Sequence, residues 1–355
     1  YERTMRPIEL VNCVRRKTLR LLTGSIKSGI SCMDSVDRKC IKKVLIVRPN
    51  HRLGNQLLIS PLIQEVHRMF PDSKIDLFVK GPLCRVLFHN DEAVDDIMTL
   101  PRKHFNDFFC YIAGWYKVRS KKYDLVINVV STSSSGRIAT KVARSTYKIF
   151  GDEADVNVLI NLPYKKHIAV KPIYNLRTYF SALGYDEMTK ELPLLKIQLS
   201  DAELLAGKEV LRKYIADDKK ETIALFTFAT GAKCYQQEWW QQFLQELKQR
   251  FDNYNIIEIL PAENVSQIGF SIPAYYSKDL REIASVLANV RLFIGADSGM
   301  MHLAVAAGVT TVGLFSITKM DVYAPYGNLN KGIDTTRVTM DQLMDEINAS
   351  LPQLN

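Results

Sequence analysis

The sequence Phe293-Ile294-Gly295-Ala296-Asp297-Ser298-Gly299-Met300-Met301-His302 decides the fold. It predicts an apolar strand, a short turn, and a helix that starts at Ser298 or Gly299 and ends near Gly308. The first N–H groups of a helix lack backbone partners and carry the positive end of its dipole, so this arrangement can bind a phosphate. Asp297 and Ser298 suit the helix cap, although an ordinary cap would explain the same residues.

The rest of the chain alternates short apolar runs with helical patterns from Lys43 onwards. Continuous apolar runs are typical of strands that are buried on both faces of a parallel sheet. The pattern therefore predicts an α/β protein with doubly wound sheets. The predicted strands are residues 44–47, 75–79, 96–100 and 125–130 in the first half, and 223–228, 256–260, 290–294 and 310–315 in the second.

The predicted elements divide into two domains. A basic amphipathic extension covers residues 1–41, and a first domain covers residues 42–170. A proline-containing linker at residues 171–199 leads to a second domain at residues 200–336. A final helix occupies residues 337–355. Two open α/β domains direct the carboxyl ends of their strands towards a shared cleft, where ligands bind.

Composition and charge limit the possible functions. The 355 residues are 47% hydrophobic and 24% charged, which is typical of a globular protein. No apolar run approaches the roughly 18 residues that a membrane-spanning helix needs. The six cysteines show no metal-binding spacing, which favours a reducing, cytoplasmic environment.

Positive charge is concentrated at the start of the chain. The net charge is +9, and residues 1–43 contain eleven Lys or Arg against four Asp or Glu. Residues 8–22 predict a cationic amphipathic helix, which suits an anionic membrane surface; packing against its own domain is the alternative. A nucleic-acid partner is not favoured, because the body of the chain has little excess charge and no interleaved aromatic and basic residues.

Four polar segments follow predicted strands and should meet in the cleft. We name them the arginine loop (residues 48–55), the lysine turn (residues 230–233), the glutamate turn (residues 261–264) and the aspartate turn (residues 296–299). Their chemistry fits a nucleoside diphosphate: helix N–H groups and Lys233 for the phosphates, and Glu263 for the ribose hydroxyls. No GxGxxG or P-loop motif is present, and no DxD or His/Cys cluster indicates a metal or cofactor.

Three further residues are candidates on chemical grounds. Arg48 and Arg52 could bind phosphates or acidic sugars of an acceptor, or could be ordinary surface charges. His302 lies one turn after Gly299, and we expect it to contact the ligand.

Two stretches resemble signatures of glycosyltransferase family 9, the lipopolysaccharide heptosyltransferases. The first comprises residues 43–48 followed by residues 53–62, and the second comprises residues 293–304. Residues 313–318 and 325–327 continue the second signature, so the resemblance covers about residues 42–330. The resemblance implies a GT-B fold, with two Rossmann-like domains facing a central cleft, acceptor side first and donor side second.

The family resemblance also implies an activity and its residues. The activity would be an inverting, metal-independent transfer of a heptose from ADP-heptose, or a related nucleotide-diphosphate sugar, to a lipopolysaccharide core or another lipid-linked surface glycan. Such an enzyme would work at the inner face of the cytoplasmic membrane. By position, Lys233 would contact the donor phosphates and Glu263 the ribose. The other implied donor residues are Thr230, Gly231, Asp297, Ser298, Gly299, Met300 and His302.

One residue departs from the family pattern. The family has Asp where this chain has Asn55, and that Asp is its proposed general base, whereas an amide cannot take up a proton near neutral pH. Three interpretations follow. Asn55 orients the acceptor while His51 or another group takes the proton, or departure of the donor phosphate drives the reaction with little help from a base. Alternatively, the chain is a non-catalytic nucleotide-sugar-binding homologue.

Overall fold

Two parallel β-sheets organise the protein. The structure is a computed structural model, and it describes residues 38–101, 108–154, 159–185 and 187–351. The predicted helix at residues 8–22 lies outside the described residues. The two predicted α/β units are present, each with one sheet whose paired strands all run parallel.

The first sheet has the strand order β3-β2-β1-β4-β5. Its central strand β1 is almost fully buried, as its continuous apolar sequence predicts. The strands are β1 (Lys43–Arg48), β2 (Lys74–Lys80), β3 (Val94–Leu100), β4 (Lys122–Asn128) and β5 (Arg144–Ile149). The helices are α1 (Leu53–Leu57), α2 (Ser60–Met69), α3 (Leu83–Leu87), α4 (Phe108–Ser120), α5 (Ser134–Val142) and α6 (Lys171–Ser181).

The second sheet has the order β11-β10-β9-β6-β7-β8. The strands are β6 (Thr222–Phe226), β7 (Asn255–Ile259), β8 (Ala274–Tyr275), β9 (Leu292–Ala296), β10 (Thr310–Phe315) and β11 (Lys331–Asp334). The helices are α7 (Asp201–Arg212), α8 (Gln237–Arg250), α9 (Leu280–Leu287), α10 (Gly299–Ala306), α11 (Met320–Tyr323) and α12 (Met340–Asn348). Short 3₁₀ turns occupy Arg38–Cys40 and Gly231–Lys233.

Each sheet reverses its winding direction once. In the first sheet the chain runs outward from β1 through β2 to β3, then returns to the other side of β1 with β4. In the second it runs from β6 to β8 and returns beside β6 with β9. Ligands of open α/β sheets bind at the carboxyl ends of the strands where the order reverses. The topology therefore predicts ligand binding at the carboxyl ends of β1 and β4, and at those of β6 and β9.

The sequence missed several elements, and the misses have a common cause. After the arginine loop, the apolar pattern of residues 57–69 suits one continuous helix, but α1 ends at Leu57 and α2 starts afresh at Ser60, with Pro61 in its first turn. Proline is tolerated there because the first helical N–H groups need no backbone partner. Strands β5, β8 and β11 were not predicted. All three are short or partly exposed strands in the outer part of their sheets, so they lack a continuous apolar run.

Candidate active site

The aspartate turn is built by β9 and α10. All five residues of β9 are buried, and α10 begins at Gly299, as the sequence predicted. Ser298 occupies the cap position with an extended backbone, but its side chain makes no capping hydrogen bond. The Ser298 hydroxyl therefore does not cap the first N–H groups of α10. This leaves those groups able to bind an anion at this helix end.

The lysine turn meets the aspartate turn at the reversal point of the second sheet. The Lys233 Nζ atom lies 2.7 Å from Oδ2 of Asp297. The Asp297 side chain is almost fully buried, whereas that of Lys233 is 39% exposed. Asp297, which we expected to serve as a helix cap, thus anchors Lys233 beside the start of α10. The Lys233 side chain remains partly exposed, so that it can contact a ligand.

The remaining donor-side candidates surround this pair. Thr230 and Gly231 are exposed at the start of the lysine turn, and Gly231 has a φ of +67°, which glycine adopts without strain. Met300 is buried beneath the first turn of α10. Glu263 is exposed in the glutamate turn, which follows β7, the strand next to β6.

The arginine loop is held together by a chain of side-chain hydrogen bonds. Arg48, the last residue of β1, donates from a guanidinium nitrogen to Oδ1 of Asn55 at 2.7 Å. The Asn55 amide nitrogen donates in turn to Oδ1 of Asn50 at 3.3 Å, and the backbone N–H of Arg52 donates to the same oxygen at 2.9 Å. The amide of Asn55 is therefore oriented by partners on both sides.

Arg48 is a buried cation without a carboxylate partner among the described residues. It is 6% exposed, and its guanidinium hydrogen-bonds the neutral amide of Asn55. Burial lowers the pKa of Arg48 from 12.5 to about 10, and nearby Tyr323 of α11 opposes this effect. A buried charge is normally paired, so its placement at the end of β1 marks this end of the sheet as a binding region.

His51 and Arg52 lie in the exposed part of the arginine loop. Their exposure leaves both side chains accessible to a substrate that enters from solvent. The proton-transfer role of His51 stays a prediction.

The two halves of the site touch at a pair of glycines. A methyl group added at Gly54 would lie 2.7 Å from Cδ2 of His302 and 3.4 Å from the Cα atom of Gly299. A methyl group added at Gly299 would lie 3.1 Å from the backbone nitrogen of Gly54. Only glycine permits this approach, so α1 and the start of α10 are in direct contact. The arginine loop and the aspartate turn therefore lie side by side, as the cleft hypothesis requires.

His302 is buried at this contact together with His167. Burial is the main cause that lowers the pKa of His302 to about 4, and the proximity of His167 and Lys233 adds to it. Burial also lowers the pKa of His167 to about 4, although its ring contacts the carbonyl oxygen of Ala324 at 3.0 Å. Both imidazoles are thus neutral at pH 7. No feature of the sequence indicates that His167 lies near His302.

Three other residues near the site were missed. Tyr323 approaches Arg48 from the second sheet's side, and Gln56 is buried with its amide donating to the carbonyl oxygens of Asn50 and Lys80 at 2.9 Å each. Glu258 is buried inside β7. Only Glu258 had a signal in the sequence, because it interrupts an otherwise apolar run in a predicted buried strand.

The described residues show no metal centre and no membrane span. Within the described ranges, no group of three or more His, Cys, Asp or Glu side chains could hold a metal ion. In the same part of the chain, no helix has the length and apolarity needed to cross a bilayer. A groove of 480 Å³ lies at the amino end of β7, lined by residues that include Asp217, Lys220 and Asn255, and thus on the opposite edge of the sheet from the site.

Known structures share this architecture. A glycosyl transferase family 9 protein from Veillonella parvula DSM 2008 aligns over 89% of this chain and 91% of its own, with 16% identity and a TM-score of 0.66. Escherichia coli heptosyltransferase WaaC, solved with ADP, aligns over 87% of this chain and 99% of its own, with 18% identity and a TM-score of 0.61. E. coli ADP-heptose LPS heptosyltransferase II aligns over 87% and 98%, with 16% identity and a TM-score of 0.59. At these identities the likeness shows the fold, and the predicted GT-B arrangement is confirmed.

Family membership comes from the sequence. No curated protein matches the chain significantly. Residues 112–347 match the model of glycosyltransferase family 9 (heptosyltransferase), which is well over half of the chain. The match contains the lysine, glutamate and aspartate turns, whereas the arginine loop lies before it. This chain belongs to glycosyltransferase family 9, the heptosyltransferase family.

Proposed function

We propose that this protein transfers a heptose-type sugar from ADP-heptose to a lipopolysaccharide core or a related surface glycan, with inversion and without a metal ion. The observation that carries the proposal is the Lys233–Asp297 pair beside the uncapped start of α10, in contact with the arginine loop. Donor phosphates and an acceptor hydroxyl could meet there. That WaaC was solved with ADP supports adenine as the donor base.

The donor would bind on the second sheet. The exposed side of the Lys233 ammonium and the first N–H groups of α10 would hold the diphosphate and stabilise it as it leaves. Glu263 would accept hydrogen bonds from the ribose hydroxyls. The residues that would complete this pocket are Thr230, Gly231, Asp297, Ser298, Gly299, Met300 and His302.

The acceptor would bind on the first sheet, where Arg48 and Arg52 would contact its anionic groups. Inversion requires the acceptor hydroxyl to attack the anomeric carbon from the face opposite the leaving diphosphate. Asn55 is placed to orient that hydroxyl but cannot take its proton. Either His51 takes the proton, or departure of the diphosphate carries the reaction with little help from a base.

A donor-binding panel followed by a turnover assay tests the proposal. Calorimetry with ADP, GDP and UDP should show preferential binding of ADP. Lys233→Met should weaken that binding by roughly 10- to 100-fold, because it removes a charge-assisted contact of about 1.5–3 kcal/mol. Lys248→Met, on the exposed side of α8, is the matched control. Equal affinities of the wild type and Lys233→Met would show that the donor pocket lies elsewhere.

A non-catalytic nucleotide-sugar-binding homologue is the second candidate, and Asn55 is the observation that favours it. Both polar atoms of its amide are already hydrogen-bonded, to Arg48 and Asn50. Wild type and Asn55→Asp should be assayed for heptose transfer from ADP-heptose. Product from the wild type supports the transferase. Binding of ADP-heptose without product from either protein supports the binding homologue.

We also propose that residues 1–41 hold the protein at the inner face of the cytoplasmic membrane. The basic excess in this part of the sequence supports the proposal, since each basic residue near an anionic surface adds about 1 kcal/mol. Removing residues 1–37 should reduce binding to vesicles that contain anionic lipid. Unchanged vesicle binding would contradict the proposal, and vesicles of zwitterionic lipid alone are the control.

A further inference from the structure

Glu258 is a buried carboxylate that the proposed chemistry does not use. It lies in β7, where it is 0% exposed between apolar neighbours. Burial raises the pKa of Glu258, while hydrogen bonds from Ser266 and Thr227 oppose that effect. Placing a carboxylate inside a sheet carries a free-energy cost unless its oxygens are satisfied. The presence of a carboxylate at this buried position therefore indicates that it has a structural or functional role.

Both carboxylate oxygens of Glu258 accept a hydrogen bond from a hydroxyl group. Thr227 donates to Oε1 at 2.6 Å, and Ser266 donates to Oε2 at 2.7 Å. The hydroxyl oxygens are themselves acceptors: Thr227 from the backbone N–H of Gln267 at 3.2 Å, and Ser266 from those of Ile268 and Phe270 at 3.2 and 3.0 Å. The carboxylate is the centre of a fully connected buried network.

This network joins the bases of two turns of the site. Thr227 directly follows β6 and precedes Thr230, where the lysine turn begins, by three residues. Ser266 follows Glu263 of the glutamate turn by three residues. β6 and β7 are neighbours in the sheet. Glu258 in β7 therefore links the end of β6, through Thr227, to the segment that follows the glutamate turn, through Ser266.

We propose that Glu258 is a positioning residue that fixes the distance between the lysine turn and the glutamate turn. This inference rests on the proposed function, in which the first turn contacts the diphosphate and the second the ribose of a nucleoside diphosphate. Glu258 itself does not contact the ligand. Its network sets the spacing of the two subsites, so it selects ligands whose phosphate and ribose groups are separated by the matching distance.

Two probes separate positioning from a general contribution to stability. ADP would engage both subsites, whereas inorganic pyrophosphate would engage only the phosphate subsite. Glu258→Gln replaces one acceptor oxygen by an amide and breaks one of the two connections. We expect its affinity for ADP to fall about tenfold and its affinity for pyrophosphate to change by less than about twofold. A change in stability alone would not distinguish the two probes in the folded protein.

Further variants provide the controls. Thr227→Val and Ser266→Ala each remove one connection but keep the carboxylate, and each should weaken ADP binding more than pyrophosphate binding. They serve as the test if Glu258→Gln fails to fold. Glu221→Gln is the matched control, since Glu221 directly precedes β6 at the opposite edge of the sheet and pairs with Arg291 at 3.3 Å.

The outcomes distinguish this inference from the proposed function. If the wild type binds ADP and folded Glu258→Gln binds it equally well, the positioning role is wrong and the proposed function stands. An equal loss of ADP and pyrophosphate binding in all three variants also overturns it, because the network would then act on the phosphate subsite alone. If the wild type binds no nucleoside diphosphate, the proposed function itself fails.

Discussion

The arginine loop and the lysine turn each hold a cation, but they differ in how its charge is balanced and how far it is buried. Each lies at the reversal point of a parallel sheet, and each contains a cation whose side-chain partner the structure shows. Lys233 is paired with the buried carboxylate of Asp297 and remains partly exposed. Arg48 is almost fully buried, and its hydrogen-bonding partner is the neutral amide of Asn55.

The difference shows that the positive charge is balanced within the protein at the lysine turn but not at the arginine loop, among the described residues. At the lysine turn the carboxylate and the ammonium neutralise each other, so under the proposed function a diphosphate would be held by the helix end and by the partly exposed Lys233. On the acceptor side the positive charge is uncompensated by the described residues, and an anionic substrate group would balance it. An Asp at position 55, which the family resemblance led us to expect, would supply that balance from within the protein.

Acidification should have the largest effect on the free energy of unfolding, because it protonates histidines that are buried where α1 meets α10. His167 and His302 have folded-state pKa values of about 4 against 6.5 for an exposed histidine. The unfolded chain therefore binds more protons between pH 6.5 and pH 4. The stabilisation that depends on keeping these two histidines neutral is fully present above pH 6.5. It is lost as the pH falls through this window, by about 3 kcal/mol for each histidine.

Urea unfolding at several pH values between 7 and 4 measures this loss. His167→Gln should flatten the pH dependence, since it removes one of the two buried imidazoles. His89→Gln, at an exposed position, is the control. An identical slope for the wild type and His167→Gln would contradict the prediction.

Removing the two cations should give unequal results. Lys233→Met leaves the buried Asp297 carboxylate without its partner, and we expect a loss of about 2 kcal/mol, reduced from the fully buried value because Lys233 is partly exposed. Arg48→Met replaces an uncompensated buried cation by an apolar chain and should change stability by less than about 1 kcal/mol. Chemical denaturation measures both. A larger loss for Arg48→Met would reverse the comparison.

Gly54→Ala tests the contact between the regions. The added methyl group would improve the helix propensity of α1 by about 1 kcal/mol, but it would also meet the buried ring of His302 at 2.7 Å. Overpacking typically costs about 1–3 kcal/mol, so we expect a net loss of about 1 kcal/mol and reduced transfer activity. Gly114→Ala in α4 is the control, since its methyl group would meet a single side chain at close range, Leu100 at 2.8 Å, and lies outside the contact between the two regions.

Asn55→Asp should have the smallest effect on stability and the opposite sign. It places a carboxylate beside the Arg48 guanidinium, so that a hydrogen bond from a cation to a neutral amide becomes an ion pair, and it removes only the long donation from Asn55 to Asn50 at 3.3 Å. We expect a gain of about 0.5–1 kcal/mol in the free energy of unfolding. Combining it with Arg48→Met should abolish the gain. Destabilisation by Asn55→Asp alone would mean that the charge of Arg48 is already balanced.

Some features were predictable because they depend on local sequence. The buried run that became β1 and the start of α10 at Gly299 followed from apolar patterning and cap chemistry. The short outer strand β5 did not, because its alternation of exposed and half-buried residues gives no strong signal. The break between α1 and α2 also escaped, since proline in a first turn and proline at a kink look alike in sequence.

The amino-acid sequence by itself determined the α/β class, the alternation of the buried strands with helices along the chain, the family, and which turns carry cations, carboxylates and glycines. These properties depend on residues that are near one another along the chain. Only the tertiary structure decided that Asp297 pairs with Lys233 instead of capping a helix, that Asn55 is bound to Arg48, and that Glu258 joins two turns. The partners in the first and last of these contacts are separated by dozens of residues or come from different strands. Their meeting depends on strand order and sheet packing, which a local pattern does not contain.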